Sequence, residues 1–130
     1  MAGYKAGMDA LRLPFEHDGD STAIRHRADR LLTDWQPPEL VADTLVVISE
    51  LVQNVIQHTP DGGELLLSRS DGTVLVEVLD HSPDLPRQYP PDPRRIGGRG
   101  LLLVAALARD WGSHRSGNGK TVWARMPLTD

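Results

Sequence analysis

Ser49-Glu-Leu-Val-Gln-Asn-Val-Ile-Gln-His58 is the stretch on which the fold turns. Glu50, Asn54 and His58 recur at every fourth position, so on a helix they line one stripe. Leu51, Val52, Val55 and Ile56 fall between them and face a core. Upstream, Leu40, Val41, Leu45 and Ile48 continue the apolar set, which predicts a helix from about Pro38 to His58. The Pro37-Pro38 pair suits its first turn, where a backbone N–H has no partner to lose. A carboxylate, a carboxamide and an imidazole in one stripe make a site for a hydrated metal ion or a polar ligand. Taken alone they equally describe the solvated face of an amphipathic helix. His58 ends the helix, where an imidazolium complements the dipole, so its expected role is structural.

Working outward, Leu11, Leu13 and Phe15 alternate with Arg12 and Pro14, a short strand whose proline belongs at a sheet edge. Asp20 or Ser21 caps a first helix to about Asp34, with apolar Ile24, Ala28, Leu31, Leu32 and Trp35. After Thr59-Pro-Asp-Gly-Gly63, strands Glu64–Arg69 and Thr73–Asp80 meet through Ser70-Asp71-Gly72, a hairpin signature. Residues 81–98 are rich in proline and arginine and carry no period, which predicts a long loop, functional or disordered. A third helix over Arg99–Arg109 and a last hairpin, Trp111–Arg115 with Lys120–Met126, complete the chain. The fold class is α+β, a two-layer sandwich: a mixed, mostly antiparallel sheet with helices on one face. Residues 1–9 form a loose leader and residues 10–130 a single domain.

With 130 residues and a net charge of −4, the chain lacks the basic footprint of a nucleic-acid binder. It has no cysteine, which excludes disulfides, thiolate catalysis and cysteine-ligated zinc. Its five histidines show no zinc spacing. The longest apolar stretch, Leu101 to Ala108, is far short of the ~20 residues a membrane span needs. The expected location is the cytoplasm, with neither membrane nor nucleic acid as partner. Gly119-Lys120-Thr121 is not a phosphate-binding P-loop: His114 stands where a glycine is required, and a strand follows instead of a helix.

Two further signals join the central stripe. Asp80 closes the strand Val74-Leu-Val-Glu-Val-Leu-Asp80, and Gly97-Gly98-Arg99-Gly100-Leu101 opens a helix. A nucleoside triphosphate with magnesium needs oxygen ligands for a metal that keeps several waters. It needs backbone donors for phosphate, best placed at a helix N-terminus. It also needs a polar anchor for the base. Asn54 offers the carboxamide oxygen, Gly98 and Gly100 let the backbone approach phosphate around Arg99, and Asp80 can accept from an exocyclic amine. Arg94 and Arg95 are a solvated run or part of a phosphate clamp.

Glu50-x-x-x-Asn54, Asp80 with its turn, Gly98-Arg99-Gly100-Leu101 and Gly119-Lys120-Thr121 resemble, in order, the N box and successive G boxes of the Bergerat-fold (GHKL) ATPases. The resemblance covers roughly Pro38 to Leu128. Within that superfamily the small size and the Ser49-Glu-Leu-Val-x-Asn54 run look most like RsbW/SpoIIAB-type anti-sigma-factor serine kinases and stand-alone actinobacterial relatives.

The resemblance implies ATP and Mg2+ as cofactors, with Asn54 as metal ligand and Glu50 as general base on the attacking hydroxyl. It implies that Asp80 holds the adenine amino group, with Thr121 assisting through water, and that Gly98, Arg99, Gly100 and Leu101 sit at the phosphates. Residues 81–97 become a shortened nucleotide lid. The implied partners are a sigma factor, an anti-anti-sigma (STAS-type) protein that accepts phosphate on serine, and a second copy in a homodimer. The family's glycine two residues after the aspartate is Ser82 here, a close fit in size, followed by Pro83, which stiffens the turn and lacks a donor. That departure and the short lid leave open an alternative, a regulatory binding module without kinase activity.

Overall fold

The computed structural model of the protein describes residues 10–16, 21–58, 62–80, 98–116 and 119–129. The central helix is α2 (Pro38–His58), as the four-residue spacing predicts. Its start is fixed by Pro37, whose carbonyl accepts from the Leu40 and Val41 amides at 3.0 Å each. Glu39 in the first turn complements the dipole. Val47, Ile48, Leu51, Val52 and Val55 form its buried face, and the buried Thr44 hydroxyl donates to the Leu40 carbonyl at 2.9 Å. Before it runs α1 (Ser21–Trp35), which buries Ile24, Ala28, Leu32 and Trp35 on one stripe.

The sheet is built from β1 (Ala10–Phe15), β2 (Gly63–Ser70), β3 (Thr73–Asp80), β4 (Asp110–Ser116) and β5 (Gly119–Pro127), in the spatial order β1-β2-β3-β5-β4. All four pairings are antiparallel. Among the described residues the expected mixed sheet therefore has no parallel pair: β3 is flanked by β2 and β5, and the chain from β3 passes through α3 (Gly98–Leu107) to the outer strand β4 before turning back. The β2–β3 turn holds Asp71 at φ 49° and Gly72 at φ 78°, the left-handed pair that a tight hairpin needs. β1 is the edge strand that carries Pro14, and Arg12 on it pairs with Glu64 at 2.9 Å.

Alternation decides which sheet face is buried. On β3, Val74, Val76 and Val78 are wholly buried, and the register sets them beside Leu65 and Leu67 of β2 and Val122, Ala124 and Met126 of β5. These residues share one cluster with the buried faces of α1 and α2 and with Val104 of α3. The third helix is shorter than the span Arg99–Arg109, because the Arg109 amide already donates to the Arg125 carbonyl at 2.8 Å and starts the sheet. Among the described residues, no helix is long and apolar enough to cross a membrane. The expected leader, residues 1–9, and the loop, residues 81–97, lie outside the described residues.

Candidate functional site

Helix α2 fixes Glu50 and Asn54 one turn apart, because the apolar residues between them are committed to the core. Asn54 as a residue is half-buried, yet its Oδ1 is shielded from solvent and accepts no hydrogen bond. An unsatisfied buried carbonyl oxygen costs about 1–3 kcal/mol, so such groups are rare and call for a partner. A hard divalent cation fits this oxygen. Among the described residues no three His, Asp or Glu side chains gather into a metal cage.

The Glu50 side chain is half-buried and lines a cleft of about 450 Å3 with Arg25, Ala42, Leu45, Val46 and Ser49. Glu50 thus lies on a cleft along the α1–α2 boundary. Between the two site residues, Gln53 Nε2 donates to Ser21 Oγ at 3.3 Å, linking α2 to the first turn of α1.

At the end of β3, Asp80 is half-buried, opposite Gly63 of β2 and Lys120 of β5. It has the same parity as Val74, Val76 and Val78, so it belongs to the helix-covered face. Thr121, expected to assist Asp80, holds a different register position. Thr121 pairs with Leu79, which puts it on the opposite sheet face, where it is buried with 2% exposure. Lys120 is the β5 residue on Asp80's side, and counting the pleat outward from Val122 would have found it.

Gly98, Arg99 and Gly100 open α3 as expected, and Leu101 behind them is half-buried. Helices α2 and α3 pack against each other, so the elements bearing Asn54 and the glycines are neighbours. The side chains of His58 and Arg99, and the segment with Ser82, Arg94 and Arg95, lie outside the described residues. One residue the motifs do not flag is Gln36, whose Oε1 is the other buried acceptor without a donor. Its only signal in the sequence is a polar residue between Trp35 and the proline pair.

Comparison with known proteins agrees with this geometry. Residues 16–126 match the family model described as the histidine kinase-like ATPase domain, which spans most of the chain. No curated protein matches the chain.

Proposed function

Because the chain belongs to the histidine kinase-like ATPase domains, an ATP-binding family, we propose that it is a regulatory protein kinase that passes phosphate from ATP to a serine or threonine of a protein partner. The observation that carries this is the orphaned Asn54 Oδ1, one turn beyond a carboxylate that lines an open cleft. A nucleotide held by Asn54 and the start of α3 would lie against α2, next to Glu50. By the resemblance noted above, the acceptor would be an anti-anti-sigma (STAS-type) protein, and this chain would itself also sequester a sigma factor.

Phosphoryl transfer of this kind asks the protein for position and charge neutralisation more than for covalent chemistry. Mg2+, when bound, would supply that neutralisation. Asn54 would hold the ion through its carboxamide oxygen. Glu50 would accept the proton of the attacking hydroxyl, or orient it, from the cleft side of α2. Asp80 would accept from the adenine amino group, and Gly98 and Gly100 would give backbone donors room at the phosphates, with Arg99 beside them.

The second reading is a regulatory module that binds nucleotide weakly and transfers nothing. Pro83, three residues after Asp80 in sequence, favours it, since a proline has no backbone N–H to donate. Incubation with γ-labelled ATP, magnesium and a STAS-type partner separates the two. Phosphoserine on the partner, lost in Glu50→Gln, supports the kinase; saturable ATP binding with no transfer supports the module.

A further inference from the structure

A second cleft, of about 320 Å3, opens where α1 ends and α2 begins, lined by Asp29, Thr33, Gln36, Pro38, Val41 and Leu45. Gln36 is only 6% exposed. Its Nε2 donates to the Pro127 carbonyl at 2.8 Å, which fixes the amide and leaves Oε1 buried without a donor. Asp29, at the rim, is exposed and makes no ion pair among the described residues. Its Oδ1 meets only the Thr33 hydroxyl at 3.3 Å, and that hydroxyl is already committed to the Asp29 carbonyl at 2.7 Å. A buried carboxamide oxygen without a donor and an exposed carboxylate without a cationic partner among the described residues therefore both belong to the cleft, above an apolar floor.

That chemistry selects an apolar stem ending in positively charged N–H donors, and it rejects anions. A guanidinium offers several donors in a planar fork and keeps its charge at any physiological pH. We infer that this cleft seats an arginine side chain presented by a segment of a protein partner. A protein segment, more than a free small cation, is favoured by what lies alongside. Ala42 and Leu45 line this cleft and also the one that holds Glu50, so the two form one groove along α1 and α2. Val46 is 39% exposed in the groove, and Arg25 stands in its Glu50 section. A segment with an arginine, then apolar residues, then an acidic side chain matches it from end to end. This holds whether or not the partner is phosphorylated.

The test uses the full chain, isotope-labelled for NMR, and three probes. These are a nonapeptide with one arginine flanked by leucines, the same peptide with neutral citrulline, and n-butylguanidinium. The arginine peptide is expected to shift the Gln36 side-chain amide and the Val41 methyl signals saturably. The citrulline peptide should bind about tenfold more weakly, and Asp29→Asn should weaken the arginine peptide by about the same factor with an unchanged melting temperature. Equal binding of both peptides would overturn the inference, as would an indifferent Asp29→Asn or no shift with any probe. Butylguanidinium binding as tightly as the peptide would make the occupant a small cation and sink the protein segment.

Discussion

Asp80 and Lys120 stand directly opposite each other across the β3–β5 ladder, whereas Thr121 pairs with Leu79 on the other side of the sheet. A base-binding role for Asp80 then has a clean control. Asp80→Asn should weaken ATP by about ten- to hundredfold, the worth of one hydrogen bond to a charged group. Thr121→Val keeps the volume at a buried site on the far face and should leave ATP affinity unchanged. Calorimetric titration of both variants decides it; a large loss in Thr121→Val would mean that β5 is read from the wrong side.

Asn54 makes a prediction with two opposite signs. Its Oδ1 is buried with no donor, so replacing it removes an unmet desolvation penalty. Asn54→Ala should hold or raise the stability of the nucleotide-free protein, by up to about 1 kcal/mol after lost packing is subtracted. The same variant should lose magnesium-dependent ATP binding. Glu50→Gln should keep binding and lose transfer. Urea unfolding without nucleotide, set beside ATP titrations with and without magnesium, checks all of this. A strongly destabilised Asn54→Ala would show a structural role instead.

Much of this was legible because period and chemistry coincide. Every apolar position that sets α2 as a helix also fixes where Glu50 and Asn54 must fall, so the strongest structural signal and the strongest functional one share a stretch. The Asp71-Gly72 turn was equally plain, since few residues accept a left-handed pair. Register was harder to read. Thr121 and Lys120 are adjacent in sequence and opposite in space, and a motif that spans both cannot say which one shares a face with Asp80. Gln36 was invisible for another reason: its environment comes from Pro127, at the other end of the chain.

Gly63 and Gly72 look alike in sequence, each closing a turn before a strand, but they differ in what a methyl group would meet. A Cβ on Gly63 would lie 2.0 Å from the Leu79 carbonyl oxygen and 3.2 Å from the Phe15 ring. Gly63→Ala should therefore force β2 away from its neighbours, at a cost of about 3 kcal/mol or more. A Cβ on Gly72 meets nothing within 4 Å, and its φ of 78° alone is strained. Gly72→Ala should cost about 1 kcal/mol. Denaturation midpoints of the two variants test the contrast, and comparable losses would refute it.

Gln36 ties the end of α1 to the end of β5, and its test depends on which of its two polar atoms carries the load. Its Nε2 satisfies the Pro127 carbonyl, so a residue of the same shape without that donor should be costly. Gln36→Glu sets a carboxylate oxygen against that carbonyl, in a position only 6% exposed. The loss should be about 1–3 kcal/mol near neutral pH. Burial disfavours the ionised form, so the folded-state pKa of the introduced carboxyl should rise above its unfolded value of about 4.3. A protonated carboxyl can donate to Pro127 as the amide does, so the deficit against the unmodified protein should shrink below that value and grow as pH rises through it. Urea unfolding of both proteins at pH 4 and pH 7 reads the difference directly. A deficit independent of pH would mean that the side chain escapes to solvent, and that the bond to Pro127 is not what holds the two ends together.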